Sequence, residues 1–382
     1  MKDIRKIIIY NTHMSFFSSL FKKETSVLGV DIGSSSIKVI EIKKKRGRIV
    51  LKTYGELALG PYGGLEIGRA VALPPEKLTE ALKDILREAK ATTLICGTAL
   101  PLSASLITFI TIPAVPDDQV GNVVSIEARK YIPVPLNEVL LDYSIVPHEE
   151  TYVAPAVAGN VNVQNPPANR EVLVVAIHND YINEYQSVMA GSGLTPSFYE
   201  IEIFSSIRAL IDQGAGTSMI FDMGARTTKL YIVERGILKS SHIVGKGSQD
   251  ITLALSKAMS ITAAEAESLK RNHGLKGGPE YKELTEIITV NLDYIFYEAN
   301  SALLAYQKKS GKNVSRVILS GGGVQLKGLT DLAKISFQTE VVYGNPFDKL
   351  ETPAILSEEF SKIGPEFSVA IGTALRRLSE LE

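Results

Sequence analysis

Two short segments of the 382-residue chain place an aspartate, a glycine, a hydroxyl side chain and a lysine at the same spacing. The first set is Asp31, Gly33, Ser36 and Lys38, and the second is Asp222, Gly224, Thr227 and Lys229. Tight turns of Gly with Ser or Thr expose backbone N–H groups and hydroxyls that bind phosphate oxygens. An aspartate would repel phosphate, but it can hold Mg²⁺ or the waters of that ion. The two segments therefore predict that the protein binds a triphosphate between two turns, one on each side.

The elements around these turns occur twice in the same order. Apolar strands flank each turn, "VLGV" and "IKVIEI" in the first copy and "SMIF" and "KLYIV" in the second. A third strand follows in each copy after an Arg-Gly turn. One helix is predicted over residues 74–90 and a longer one over residues 250–271, and each is followed by a further strand. The repeat predicts two α/β domains that face each other.

A third segment, "ILSGGGVQLKGL" from Ile318 to Leu329, joins a strand to three glycines and an apparent helix start. Glycine lets a backbone approach closely because it has no Cβ, so Gly321, Gly322 and Gly323 could lie against a flat ring or a phosphate. A flexible loop is an equally good interpretation of this segment by itself. The stretch "FSVAIGTALRRL", Phe367 to Leu378, predicts a helix with small residues for close packing, or an ordinary core helix.

Composition excludes several classes of function. The net charge is −1, which gives no electrostatic reason to expect nucleic acid. A single cysteine excludes an internal disulfide framework, and the five histidines have no metal-ligand spacing. No stretch approaches the ~20 apolar residues of a membrane-spanning helix. Phenylalanines beside lysines near the N-terminus indicate either a loose tail or a weak membrane-surface element, and the loose tail is favoured.

These segments, in this order, resemble the actin-like ATPase superfamily, which includes actin, the heat-shock ATPase chaperones, sugar kinases and the division protein FtsA. The resemblance spans residues 26–378. It implies an α/β actin-like ATPase fold of two duplicated ribonuclease-H-like domains with a small inserted subdomain. It also implies ATP and Mg²⁺ as cofactors. "ITAAEAESLKRNHGL" is similar to the helix that reaches the ribose and base, and "YEIEIFSSIRAL" resembles the interdomain connector.

The resemblance assigns roles residue by residue. Glu202 would orient the attacking water and Asp222 would share the catalytic role, while Asp31 and Asp222 would hold the metal. The remaining residues expected to bind nucleotide are Gly33, Ser34, Ser35, Ser36, Lys38, Gly224, Thr227, Thr228, Glu267, Lys270, Gly321, Gly322 and Gly323. Ala225-Arg226 stands where the chaperones have two glycines, so ATP binding with at most slow hydrolysis is expected.

Within the superfamily, the chain resembles the PilM family of type IV pilus assembly proteins. The stretches that carry this resemblance are "FFSSLFKKETSVLGVDIGSSSIKVIEI" and "ITIPAVPDDQVGNVVSIEARKYIPVPLNEVLLDYSIV". The second would form a helix from Asp117 to Tyr131 and then a strand, in a subdomain that FtsA and PilM also carry. The family implies a scaffold at the inner face of the cytoplasmic membrane. It would bind the N-terminal peptide of a bitopic, PilN-like membrane protein in a groove beside the insert.

Two alternatives stay open: an FtsA-like filament-forming ATPase at the membrane, and a cytoplasmic scaffold of a type II secretion system. Self-association is also left open. The predicted organisation has a tail and five further segments. They are residues 1–25 (tail), 26–100 (first domain), 101–185 (insert), 186–215 (first domain, connector), 216–350 (second domain) and 351–382 (return to the first domain).

Overall fold

The computed structural model describes residues 26–147, 169–212 and 214–381. The predicted N-terminal tail lies outside these ranges, as do residues 148–168. Within them, no helix has both the length and the apolar character needed to cross a membrane. The predicted segment boundaries stay predictions.

The first sheet is built on the hairpin that contains the first predicted turn. Its strands are β1 (Ser26–Ile32), β2 (Ser36–Lys45), β3 (Arg48–Ala58), β4 (Ile95–Leu100) and β8 (Thr195–Ile201), in the order β3-β2-β1-β4-β8. The β1–β3 strands are antiparallel, whereas β4 runs parallel to both β1 and β8. In this register Asp31 lies directly opposite Lys38.

The second sheet repeats the first. Its strands are β9 (Ser218–Met223), β10 (Thr228–Glu234), β11 (Ile237–Val244), β12 (Arg316–Ser320) and β13 (Glu340–Tyr343), in the order β11-β10-β9-β12-β13. Directions match as well, because β12 runs parallel to β9 and β13. Asp222 lies opposite Lys229, as Asp31 lies opposite Lys38. The duplicated α/β architecture predicted from the sequence is therefore confirmed.

Helices from several parts of the chain pack on the first sheet. They are α1 (Pro75–Glu88), α4 (Glu202–Leu210), α9 (Ser357–Ile363) and α10 (Ser368–Ser379). The buried Ala370, Ile371 and Ala374 of α10 join a core with residues of β1 and β2. Gly372 lies so close to α4 that a Cβ atom there would overlap the carbonyl group of Ser205. The small residues of α10 thus permit close packing, as their pattern predicts.

Four helices pack with the second sheet: α5 (Ser248–Met259), α6 (Ala263–His273), α7 (Lys282–Ser310) and α8 (Leu329–Phe337). The single helix predicted over residues 250–271 is wrong, since α5 and α6 are separate. Ser260 ends α5 with a φ of 53°, in the left-handed region. Thr262 then caps α6, because its side chain accepts a hydrogen bond from the Glu265 amide and Glu265 bonds back. Apolar residues continue at helical spacing through this region, but the Thr-x-x-Glu signature starts a new helix.

Residues 102–186 form a compact unit of their own. Its antiparallel sheet has the order β5-β7-β6 and consists of β5 (Ser105–Pro113), β6 (Val139–Ile145) and β7 (Asn169–His178). Helix α2 (Asp117–Ala128) packs Val120, Val124 and Ala128 against this sheet. It ends three residues before the predicted end at Tyr131, since prolines at 133 and 135 bias the preceding backbone away from a helix. Helix α3 (Asn179–Gly191) begins directly after β7.

The contact between α10 and α4 generates a stability prediction. Replacing Gly372→Ala should destabilise the fold by about 3 kcal/mol, because the added methyl group meets a backbone carbonyl that cannot rotate away. Chemical denaturation measures this difference. Gly245→Ala is the matched control, since a Cβ there has no described atom within 4 Å. Equal stabilities of the two variants would contradict the close approach.

Candidate functional site

A cavity of about 400 Å³ lies between the two hairpin turns, Ser34 and Ser35 on one side and Ala225 and Arg226 on the other. Its volume falls in the usual range for small-molecule sites. Every residue predicted to bind nucleotide, metal or water lines it except Thr228. The predicted residues that do line it are Asp31, Gly33, Ser34, Ser35, Ser36, Lys38, Glu202, Asp222, Gly224, Thr227, Glu267, Lys270, Gly321, Gly322 and Gly323.

The structure corrects the prediction for Thr228. Its side chain is fully buried, and its hydroxyl donates a hydrogen bond of 2.9 Å to the carbonyl oxygen of Lys246. Thr228 is the first residue of β10, whereas Thr227 belongs to the turn that precedes this strand. Thr227 therefore lines the cavity, while Thr228 ties β10 to the segment that precedes α5.

The two turns are closed by the same backbone hydrogen bond. The Gly33 amide donates to the Ser36 carbonyl at 3.0 Å, and the Gly224 amide donates to the Thr227 carbonyl at 2.9 Å. Backbone amides outside the turns donate hydrogen bonds to other carbonyl oxygens of the turns. Val71 donates to Ser34, Leu59 to Ser35, Ser248 to Gly224 and Gln249 to Ala225. Because carbonyl oxygens repel phosphate, their engagement by the protein suits an anion at the tip of each turn.

Lys229, which was part of the repeated spacing but had no role assigned from the sequence, lines the cavity. Its Nζ lies 2.6 Å from Glu202 Oε2 and 3.3 Å from Asp222 Oδ2. Burial opposes the charge of Lys229, yet Asp222 and Glu202 outweigh it and raise the pKa of the ammonium group. Lys229 thus forms ion pairs with both residues that were expected to be catalytic. The repeat contained a signal for it, since Lys229 has the same position as Lys38.

Lys38 has different partners from Lys229. Its Nζ lies 2.7 Å from Ser36 Oγ and 3.0 Å from Glu56 Oε1, and Glu366 is 4.0 Å away. Burial raises the pKa of the nearby Asp31 to about 7, while Lys38 acts in the opposite direction. A second cation beside Asp31 would stabilise the ionised form of this carboxyl group.

Two further acids, Glu56 on β3 and Glu366 before α10, line the cavity and were not predicted. Burial raises the pKa of Glu366 to about 7, and the neighbouring Glu56 adds to this effect against the opposing charge of Lys38. The Gln325 amide also donates a hydrogen bond to Glu366. No local motif marks either acid, because they reach the cavity only through the packing of distant segments.

The three glycines after β12 differ in the space around them. A Cβ at Gly321 would meet Asp222 and the Met223 carbonyl, and a Cβ at Gly323 would meet the Met223 side chain. The packing of the protein therefore requires glycine at both positions 321 and 323. Gly322 has room, since the nearest atom to its Cβ would be Glu366 Cδ at 3.4 Å. Of the three, Gly322 is the position where a side chain would enter the cavity without displacing protein.

Glu267 and Lys270 on α6 form an ion pair of 2.6 Å. Lys270 is almost fully buried and donates to Thr252 Oγ1 at 2.8 Å and to the Ser248 carbonyl at 3.1 Å. Burial lowers the pKa of Lys270, although Glu267 acts in the opposite direction. These contacts hold both side chains at the cavity wall, where their predicted roles toward ribose and base stay predictions.

A buried charge network positions Glu202 at the start of α4. The fully buried Glu200 accepts bonds of 2.7 and 3.0 Å from Arg208 and of 2.8 Å from Arg376. The Ser205 hydroxyl donates to the same carboxylate at 2.6 Å. The network links β8, α4 and α10 at Glu200, which lies two residues before Glu202 in the sequence. It therefore fixes the backbone from which Glu202 reaches the cavity.

Among the described residues, no group of three or more His, Cys, Asp or Glu side chains could hold a metal ion by itself. Mg²⁺ commonly takes one or two protein carboxylates and completes its shell with water and phosphate oxygens. Asp31 and Asp222 both line the cavity and supply such carboxylates. The donor set therefore fits Mg²⁺ in the presence of a phosphorylated ligand.

Comparison with known proteins identifies the family. Residues 29–378 match the family described as Type IV pilus assembly protein PilM. The chain belongs to this family. A chain from a solved PilM-PilN type IV pilus biogenesis complex is 25% identical, with 92% of this chain and 98% of that chain covered and a TM-score of 0.76.

More distant proteins share the fold. The cell division protein FtsA of Enterococcus hirae is 22% identical over 356 residues, which cover 82% of this chain and 77% of FtsA. The structure of the ethanolamine utilization protein EutJ from Carboxydothermus hydrogenoformans has a TM-score of 0.53 at 14% identity, with 92% and 89% of the chains covered. The actin-like ATPase fold expected from the sequence is confirmed.

The raised pKa of Glu366 predicts a pH-dependent effect on stability. Its pKa rises from 4.5 to about 7 on folding, so the protein loses stability as the pH increases through that interval. Glu366→Gln removes this loss. We expect its melting temperature to exceed that of the parent by about 2–4 °C at pH 8 and to match it near pH 4. Glu359→Gln, at an exposed position of α9, is the control for the same substitution outside the cavity. A pH-independent difference for Glu366→Gln would contradict the assignment.

Proposed function

We propose that this chain is a cytoplasmic, ATP-binding scaffold of type IV pilus assembly that acts at the inner face of the cytoplasmic membrane. The observation that carries the ATP assignment is the pair of hairpin turns, one from each repeat, that line one cavity together with the Gly321–Gly323 loop. One turn would hold the phosphates from each side, and the glycine loop would lie against adenine. Family membership supports the pilus assignment.

The charges of the cavity support a ligand that arrives with its own cation. The acidic lining residues are Asp31, Glu56, Glu202, Asp222, Glu267 and Glu366, and the basic ones are Lys38, Arg226, Lys229, Lys270, Arg271 and Lys327. Counted as fully ionised groups the two signs balance, so the cavity offers little surplus positive charge to a triphosphate. Mg²⁺ held through Asp31 and Asp222 would supply that charge when bound. Ser34, Ser35, Lys38 and Thr227 would contact the phosphates.

The contacts of Glu202 support slow hydrolysis at most. A general base must reach the attacking water, and here the Glu202 carboxylate is held 2.6 Å from Lys229. This contact occupies a carboxylate oxygen that the attacking water would need. Ala225 and Arg226 also line the cavity, at the positions where the heat-shock ATPase chaperones have two glycines. This arrangement favours a scaffold that binds ATP over a filament-forming motor that consumes it.

Gly322→Val tests the nucleotide assignment. The substitution should reduce ATP affinity at least 100-fold, because the valine side chain would occupy the space assigned to adenine, and calorimetric titration with Mg-ATP measures the loss. The melting temperature without nucleotide controls for folding, and it should stay close to that of the parent because Gly322 has room. Unchanged ATP affinity would refute the adenine site. If the parent itself neither carries nor binds nucleotide, the ATP assignment fails.

The second part of the proposal is the partner, the N-terminal peptide of a bitopic, PilN-like membrane protein. The related solved chain, 25% identical, comes from a PilM-PilN complex. The unit of residues 102–186 offers two exposed apolar side chains, Ile126 on α2 and Tyr131 shortly after it, and a depression lined by Arg129, Val134 and Leu136. A short membrane-protein tail presents an extended peptide with a few apolar anchors, which suits such a surface.

A synthetic N-terminal peptide of the PilN-like protein tests this docking. Fluorescence anisotropy measures the binding, with and without ATP. We expect saturable binding to the parent protein and at least tenfold weaker binding to the double variant Ile126→Asp, Tyr131→Ala. Ile355→Asp is the matched control, because Ile355 is an exposed isoleucine outside the 102–186 unit. Binding that is absent from the parent, or unaffected by the double variant, would overturn this surface assignment.

A further inference from the structure

Lys229 places an ammonium group between two acids of the cavity. Its Nζ lies 2.6 Å from Glu202 Oε2 and 3.3 Å from Asp222 Oδ2. The side chains of Lys229, Glu202 and Asp222 are only 16%, 10% and 7% exposed, so water screens their charges little. Asp222 is one of the two carboxylates that fit Mg²⁺. Lys229 therefore contacts an oxygen atom that such an ion would use.

The first repeat differs at the equivalent position. Lys38 lies opposite Asp31 in its hairpin, as Lys229 lies opposite Asp222. The Nζ of Lys38, however, lies 3.0 Å from Glu56 Oε1 on the neighbouring strand β3. The lysine of the second repeat thus contacts its own aspartate, whereas the lysine of the first repeat contacts an acid from another strand.

Lys229 also has a donor to offer to a ligand. An ammonium group carries three N–H donors. Among the residues that the structure describes, Lys229 has two acceptors, Glu202 and Asp222, so one donor remains. Lys229 lines the same cavity as the two hairpin turns that are expected to contact phosphate. A phosphate oxygen in this cavity would accept a charge-assisted hydrogen bond from Lys229, which is stronger than a bond between neutral groups.

We propose that Lys229 and a divalent cation compete for Asp222, and that a phosphorylated ligand decides the competition in favour of the cation. Two positive charges at one carboxylate repel each other, so Lys229 lowers the affinity of Asp222 for the ion. A phosphate replaces Asp222 as an acceptor for Lys229 and thereby releases this carboxylate. The inference rests on the proposed nucleotide site, and it adds that ion and nucleotide each raise the affinity of the protein for the other.

Mn²⁺ binding in the absence of nucleotide tests the competition. Mn²⁺ prefers the same carboxylate and water ligands as Mg²⁺, and electron paramagnetic resonance measures the unbound ion. We expect Lys229→Met to bind Mn²⁺ at least about tenfold more tightly than the parent, because the competing charge at Asp222 is gone. A parent that binds Mn²⁺ as tightly as this variant would overturn the proposal.

Lys327→Met is the matched control. Lys327 lines the same cavity, but it is exposed and its Nζ donates to the carbonyl oxygen of Asn272 at 2.6 Å. The control therefore removes one positive charge from the cavity without releasing an acid. Its Mn²⁺ affinity should rise by about threefold at most, since solvent and salt screen exposed charges. An equal rise in both lysine variants would show a general effect of charge and would contradict the role of Lys229.

A second variant guards against a loss of folding in Lys229→Met, in which two buried carboxylates lose a cationic partner. The double variant Lys229→Met, Glu202→Gln removes one charge of each sign and leaves Asp222 in place. It should show the same gain in Mn²⁺ affinity, and added Mn²⁺ should raise its melting temperature. Adding Asp222→Asn should abolish both effects, because the carboxylate itself is then absent. A gain that persists in the presence of Asp222→Asn would contradict the assignment of this residue.

ATP titration in EDTA tests the phosphate contact of Lys229. Without a divalent ion, Lys229→Met should bind ATP at least about tenfold more weakly than the parent, because the ammonium donor to phosphate is missing. An unchanged metal-free affinity would show that Lys229 stays with Asp222. The two assignments fail separately. A parent with no affinity for Mg-ATP refutes the nucleotide site, whereas equal Mn²⁺ affinities of the parent and Lys229→Met refute only the competition.

Discussion

The position of the connector depends on one buried carboxylate. Glu200 is fully buried and is stabilised by two arginines, Arg208 from α4 and Arg376 from α10. Removing one partner of a buried ion pair costs about 3–5 kcal/mol, because the remaining charge stays buried without compensation. The pairing therefore allows little freedom in how β8, α4 and α10 meet. Arg376 also lies over the Phe198 ring at 3.7 Å, which fixes it from a second direction.

This constraint has a consequence for the cavity. Glu202 starts α4 only two residues after Glu200, so the network that joins the C-terminal helix to the first sheet also sets where the Glu202 carboxylate lies. Lys229 reaches that carboxylate from the second sheet. A bond of 2.6 Å thus links the two repeats across the cavity. A phosphorylated ligand would compete for Lys229, and its binding would weaken this link between the repeats.

The hairpin turns and their glycines could be predicted from the sequence because each is a local pattern that occurs twice. The partners of the two lysines could not. Lys38 and Lys229 have equivalent positions in their sheets, yet one binds Glu56 and the other Glu202, which come from segments without a shared motif. The error at Thr228 has a different origin. Adjacent threonines look equivalent in the sequence, but Thr227 lies in the turn and lines the cavity, while Thr228 begins the strand and is buried.

An aromatic cluster joins α7 to the strand that carries Asp222. Phe296 of α7 stacks on Phe221 with ring centres 5.6 Å apart, and Phe221 directly precedes Asp222 on β9. Phe337 of α8 contacts both rings and closes the cluster. In a close-packed core each of these rings limits the space open to the others. The backbone that presents Asp222 to the cavity is therefore anchored by the packing of the second repeat, as the Glu200 network anchors the backbone that presents Glu202.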